Sequence, residues 1–183
     1  MNKSTQRRAI FAGGCFWCME PPFAKLDGVL RVLSGYIGGE SENPSYEEVC
    51  SGRSGHLEAV AVDYDPDLVS YEQLLEVFWH NINPTDEGGQ FADRGSQYRS
   101  AIFYHDAQQQ RLAEASKRAL AESGRFEAPI ATQIIPAAPF YPAEDYHQGY
   151  AQSNPLRYSL YRHGSGRDRF LERFWSDKPQ DKS

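Results

Sequence analysis

The segment Gly13-Gly14-Cys15-Phe16-Trp17-Cys18 holds the residues best suited to chemistry. A short apolar run, Ala9-Ile10-Phe11-Ala12, feeds the two glycines, which predicts a buried strand, a turn, and a helix starting at Cys15 or Phe16. Glycine in such a turn lets the backbone come close to whatever binds there. A cysteine opening the helix meets unpaired amide donors and the positive end of the dipole, and both favour the nucleophilic thiolate. Cys18 stands one helical turn further on, within reach for a disulfide if the turn adjusts. The pair thus offers an attacking and a resolving thiol, with Phe16 and Trp17 as an apolar surface beside the sulfur. Cys50, alone on a short helix after Val49, reads as a small buried hydrophobe.

Two other readings of the Cys-x-x-Cys pair stand beside this one. It could be half of a zinc site, but zinc needs four ligands and no second close Cys or His pair exists in the chain. It could serve a general thiol–disulfide oxidoreductase, although two bulky aromatics inside the motif crowd the face that must meet a protein dithiol.

The elements that must position these residues fit one domain. The chain has 183 residues, 40% hydrophobic and 13% aromatic, a size that buries roughly 70% of its extended surface without a disulfide or metal staple. A formal charge of −6 argues against an electropositive face for nucleic acid. No stretch approaches the roughly 20 apolar residues that span a bilayer, and the first ten residues lack the apolar block of a secretory signal. With an odd cysteine count, a reducing cytoplasm is the expected compartment, where a close Cys pair reads as catalytic or metal-binding. Nothing in the helix after Asp106 signals a dimer, so a monomer is expected.

Residues 1–7 and 176–183 have too little apolar surface to fold and are expected to be disordered tails around a single catalytic domain, 8–175. Within that domain strands are predicted at Val29–Leu33, Leu57–Val62, Ser100–Tyr104 and Ile130–Ile135. Pro21 and Pro22 should interrupt the first helix. Asn43 and Pro44 read as N-cap and first position of a helix ending at Cys50. Ser70 with Gln73 forms a capping box, Asp106 caps a helix ending at Gly124, and further helices are expected at Ala143–Ala151 and Arg167–Trp175. The segment Asn81–Gln97 reads as an ordered functional loop. The mixed order implies an α+β fold: a mixed sheet with helices packed against it.

Taken together, Gly14-Cys15-Phe16-Trp17 with Glu20, Gly35-Tyr36-Ile37-Gly38-Gly39, Asn43-Pro44-Ser45-Tyr46, Gly55-His56-Leu57-Glu58-Ala59-Val60, Asp93-Arg94-Gly95-Ser96-Gln97-Tyr98-Arg99-Ser100 and Pro139-Phe140-Tyr141-Pro142-Ala143-Glu144-Asp145-Tyr146-His147-Gln148 resemble peptide methionine sulfoxide reductase of type A. The blocks run in the family's order over about residues 9 to 155. The resemblance implies an α/β two-layer plait, Cys15 as nucleophile, Glu58 as acid, Phe16 and Trp17 as the pocket for the sulfoxide methyl group, and Tyr46, Asp93 and Tyr98 around the sulfoxide oxygen. It also implies preference for the S epimer and thioredoxin as reductant, with no metal or organic cofactor. Two departures matter. Many members have glycine after Trp17 where this chain has Cys18, and many carry C-terminal resolving cysteines where this chain has none. The two together make Cys18 the recycling cysteine. Outside the resemblance, Glu58 on an alternating strand reads as an exposed residue, His56 as a structural hydrogen bonder, His147 as a residue that could line the site, and His80, His105 and His163 as surface residues.

Overall fold

The structure, a computed structural model, describes residues 5–176. In chain order it contains β1 (Arg7–Gly13), α1 (Phe16–Ala24), β2 (Val29–Ile37), α2 (Tyr46–Cys50), β3 (Leu57–Tyr64), α3 (Tyr71–Trp79), a small hairpin of β4 (Gly89–Gln90) and β5 (Asp93–Arg94), β6 (Ser100–Tyr104), α4 (Ala107–Glu122), β7 (Gln133–Pro136), β8 (Phe140–Pro142), α5 (Tyr150–Ser153), α6 (Pro155–Ser165) and α7 (Arg167–Trp175). Most of both expected tails lies outside the described residues; Arg7, placed in the first of them, pairs with Tyr64 at the start of β1. No described helix is long and apolar enough to cross a membrane.

Six strands form one mixed sheet in the order β7-β6-β1-β3-β2-β8. All neighbours are antiparallel except β6 and β7. Helices α1, α3 and α4 bury their apolar residues against one face, where Phe11 of β1 stacks on Phe23 of α1 at 5.1 Å and Phe78 of α3 at 5.2 Å. Ile10, Ala59, Ala61 and Phe103 point to the other face, which Ala137, Ala138 and Phe140 cover. Both faces of β3 are therefore closed, and period-two alternation loses its meaning as a guide to exposure there. Glu58 shares the helix-covered side with Val60 and Val62 and is 2% exposed, which corrects its reading as an exposed strand residue.

Helix α1 runs through Pro21 and Pro22 instead of stopping at them. Phe16, Met19 and Phe23 are all buried at helical spacing, and the stack of Phe23 on Phe11 holds the last turn in place. Pro22 has no amide for the carbonyl of Cys18, four residues back; Arg162 Nη1 approaches that oxygen at 3.4 Å instead.

The cap of α2 is Ser45, not Asn43. Ser45 Oγ accepts from the Glu48 amide at 3.2 Å while the Glu48 carboxylate accepts from the Ser45 amide at 2.7 Å. This reciprocal pair satisfies two free donors at once, and Asn43 is left in the left-handed region at φ 47°. Ser45→Ala should lower stability by about 1 kcal/mol, read as a shift in the urea midpoint; an unchanged midpoint would mean that the box contributes nothing.

The expected helix Ala143–Ala151 is replaced by two irregular residues after β8, a 3-10 turn at Asp145–His147 and the short α5. Tertiary hydrogen bonds win here. Gln148 uses its side-chain amide on both backbone groups of Ser34, and Glu20 accepts from the Gly149 amide, which sits in the left-handed region at φ 59°. Helix α6 was not foreseen, although Asn154-Pro155 at its start and Gly166, left-handed at φ 85°, at its end are ordinary boundary signals.

Candidate active site

Between β1 and α1 the chain turns through Gly14, at φ 85°. A Cβ there would lie 2.6 Å from Cβ of Gln90, so only glycine fits. The turn delivers Cys15 to the N-cap of α1 with 6% exposure, and all three cysteines are free thiols. The first amide of the helix, Phe16 N–H, does not turn to the sulfur. It donates to Glu58 Oε2 at 3.2 Å. The positive end of α1 thus anchors a carboxyl group from β3, and β3 reaches the site because Glu58 lies opposite Tyr36 in the register with β2.

Burial dominates the electrostatics. It pushes the Glu58 carboxyl up to about 8, so the group is protonated at neutral pH. Burial also pushes the Cys15 thiol well above its ordinary value, and the hydrogen bond it donates to Cys18 adds to this. The sulfur of Cys18 moves the other way, lowered by that hydrogen bond and then by the guanidiniums of Arg167 and Arg162. The first free amide of the helix is thus spent on Glu58 and not on the sulfur of Cys15.

Phe16 and Trp17 form one wall. Trp17 is stacked on Tyr150 at 3.8 Å, and its indole N–H donates to His147 Nδ1 at 3.1 Å. His147, 1% exposed, also meets the rings of Phe16 at 5.1 Å and Tyr46 at 4.4 Å. Accepting from Trp17 requires an unprotonated Nδ1, in line with the lowering of the His147 pKa by burial. A hollow of about 330 Å³ opens between Trp17, Tyr46, His147, Tyr150 and Tyr161. Its walls are mostly apolar and aromatic.

The polar groups expected around a substrate oxygen come from separate elements. Tyr46 opens α2, Tyr98 closes a 3-10 turn, and Asp93 lies in β5. Tyr46 and Tyr98 remain protonated, because burial raises both well above the ordinary phenol value and the nearby Glu58 adds to it. The Asp93 carboxylate accepts from the hydroxyl of Tyr161. All eight expected residues thus belong to one neighbourhood. Cys50 adjoins it through Tyr46 and Tyr98, half-buried, with its thiol raised by burial. His56 is structural: Nδ1 accepts from Gly39 N–H at 3.1 Å and Nε2 faces Ser41 O at 2.8 Å. His80 stacks on Trp175 with ring centroids 3.7 Å apart. Among the described residues no three His, Cys, Asp or Glu side chains gather as metal ligands.

The family model for peptide methionine sulfoxide reductase matches residues 7–179. The chain belongs to the peptide methionine sulfoxide reductase family. The peptide methionine sulfoxide reductase MsrA of Bacillus licheniformis is 59% identical to it over 170 residues, covering 93% of this chain and 94% of that protein. Its counterpart from Bacillus subtilis is also 59% identical, covering 93% and 96%. The crystal structure of Mxr1 from Saccharomyces cerevisiae in reduced form superposes with a TM-score of 0.79 at 31% identity, covering 85% of this chain and 89% of that one. The enzyme is accordingly a peptide-methionine (S)-S-oxide reductase, an oxidoreductase acting on methionine sulfoxide.

Sequence reasoning missed four residues of the reductase's site. Tyr158, Tyr161 and Arg162 lie on the unforeseen α6 and Arg167 opens α7. Asn154-Pro155 and Gly166 were the signals that could have found the helix; nothing local marked Arg167 as buried.

Proposed function

We propose that Cys15 attacks the sulfur of methionine S-sulfoxide, that Glu58 supplies the proton to its oxygen, and that Cys18 resolves the product as a disulfide which thioredoxin reduces. A sulfoxide is a poor electrophile, because attack at sulfur builds negative charge on oxygen. A catalyst must offer a soft nucleophile, a proton, and donors aimed at that oxygen. The single observation that carries the reading is the buried carboxyl of Glu58, held by the amide after Cys15 and pushed up to about 8. A carboxyl kept neutral at pH 7 beside a thiol is an acid in waiting.

Phe16 and Trp17 receive the methyl group by apolar contact. Tyr46 and Tyr98 donate to the developing oxyanion, where each preorganised donor typically contributes about 3–4 kcal/mol, and Asp93 orders the hydroxyl of Tyr161 beside them. The sulfur–oxygen bond of the substrate breaks and an oxygen–sulfur bond to Cys15 forms. Methionine leaves reduced by two electrons, and Cys15 is left as a sulfenic acid. Cys18 then attacks that sulfur, the oxygen departs as water, and the Cys15–Cys18 disulfide remains for exchange with an external dithiol. No metal or organic cofactor takes part. The sheet and its helices are assigned to the two-layer plait, supported by α1, α3 and α4 all packing on one face. A monomer in a reducing cytoplasm is the proposed setting, supported for the compartment by an odd cysteine count that fits poorly with a secreted disulfide framework.

Cys18→Ser tests the recycling step. The variant should release about one methionine per enzyme molecule, as the stoichiometry of the scheme requires, and then stop with thioredoxin. Sustained thioredoxin-driven turnover at the wild-type rate would remove Cys18 from the resolving role.

A further inference from the structure

The aromatic hollow beside Trp17 has room for more than a methyl group, at about 330 Å³, and two exposed residues complete its lining, Tyr146 and Arg157. Arg157 stands in the first turn of α6. Among the described residues it takes no part in the ion pairs that engage Arg7, Arg8, Arg31, Arg94 and Arg162. Nor does it lie over an aromatic ring, as Arg125, Arg167 and Arg173 do. The first turn of α6 holds no acidic residue, and Leu160 and Tyr161, its neighbours one turn on, are uncharged at neutral pH. The guanidinium keeps its proton and presents its donors as a planar fork. That fork is left for a partner from outside the chain.

A second group of the same lining lacks an acceptor. His147 Nδ1 accepts from Trp17, so the ring carries its proton on Nε2. Nε2 is buried with no hydrogen-bond partner, and Glu144 Oε2, at 4.0 Å, is beyond hydrogen-bond range. An orphaned donor and an unpaired cation around one hollow point to a ligand that brings acceptor oxygens. Charge decides where an anionic one would sit. Tyr146 also borders a neighbouring hollow, lined by Glu47 and Glu144. A carboxylate is repelled at that acidic edge and drawn toward Arg157.

We propose that Arg157 is a specificity-determining residue of the reductase, which binds a carboxylate carried beside the sulfoxide. That carboxylate is either the main-chain group of free or C-terminal methionine sulfoxide, or the side chain of an acidic neighbour in a peptide. The proposal rests on the reading of Trp17 as a wall of the substrate site and deepens it by naming what lies beyond the sulfoxide. With the sulfoxide at Cys15 and its methyl group on Phe16 and Trp17, the rest of the substrate leaves along Trp17 into the hollow, whose exposed edge holds Arg157. A carboxylate there can take two parallel hydrogen bonds from the guanidinium. The pair is partly solvated, so it biases the choice among substrates and adds nothing to the chemical step.

The test compares N-acetyl-methionine S-sulfoxide, which carries a carboxylate, with its neutral methylamide, each reduced with a small dithiol. The readout is the ratio of kcat/KM for the acid to that for the methylamide. Arg157→Ala should lower this ratio about fivefold, the upper range for a solvated ion pair, through KM. Arg157→Lys should keep most of it and Arg157→Glu should lower it further. Arg111→Ala, which removes the same charge from α4, should leave the ratio in place. A second pair, end-capped peptides with Asp or Asn after the methionine sulfoxide, identifies the source. A fall in the first ratio assigns the site to the main-chain carboxylate, and a fall in the second to the acidic neighbour. Both ratios unchanged in Arg157→Ala would overturn the proposal, and so would an equal fall in Arg111→Ala. A merely structural loss lowers all substrates alike and leaves the ratios unmoved. Failure of the wild-type enzyme to reduce even the methylamide would bring down the reading of the site together with this proposal, whereas normal reduction with unmoved ratios brings down the carboxylate site alone.

Discussion

Cys15→Ser is expected to leave no measurable reduction of methionine S-sulfoxide, with thioredoxin or with a small dithiol alike. A hydroxyl is a hard, weakly acidic nucleophile, poorly matched to the soft sulfur of a sulfoxide. The loss should reach at least about 10⁴-fold, equivalent to roughly 5 kcal/mol of transition-state stabilisation. The fold should survive, because serine differs by one atom at an N-cap that favours it and Cys15 makes no cap hydrogen bond that would be lost. Steady-state consumption of the chirally pure substrate checks this. Activity within tenfold of wild type would put the reacting sulfur elsewhere, in Cys18 or Cys50.

Glu58→Gln carries the second large effect, a fall of about 10²- to 10³-fold in kcat/KM, the range for loss of a positioned acid. The amide can still accept from Phe16 N–H and donate to the substrate oxygen, but it has no proton to give up. The pH profile separates the two roles. Wild-type activity should fall as pH rises through about 8, where the carboxyl ionises, and the variant should lack that descent. Stability should also fall as pH rises, over a lower range. A carboxyl whose folded pKa is raised holds its proton when the unfolded chain has released it, so wild-type stability declines between the unfolded value near 4.5 and about 8 and levels off above that. Glu58→Gln has no such decline and should melt higher than wild type, relative to pH 5, when both are compared at pH 8. A variant that kept the alkaline descent in activity would assign that descent to another group.

The cysteine motif was legible because its chemistry is local: two glycines, a strand before them and a helix after them all speak within a dozen residues. Capping at Ser70 and Asp106 was equally local, and both side chains cap as expected. The reading failed where distant contacts decide. Alternation misread Glu58 because β3 lies between β1 and β2 with both faces covered. The helix expected at Ala143–Ala151 gave way to Gln148 and Glu20, whose hydrogen bonds reach Ser34 and Gly149 across the fold. The most consequential gap was electrostatic. Helix position alone offered the first free amide to the sulfur of Cys15, but that amide goes to Glu58, 42 positions away in sequence.

One measurement bears most directly on the whole account: a peptide mass map of the reductase after a single turnover with chirally pure methionine S-sulfoxide and no added reductant. The account predicts one methionine released per molecule, a disulfide joining Cys15 to Cys18, and Cys50 still a free thiol. A product with Cys15 unmodified, or one in which Cys50 carries the new bond, would contradict it.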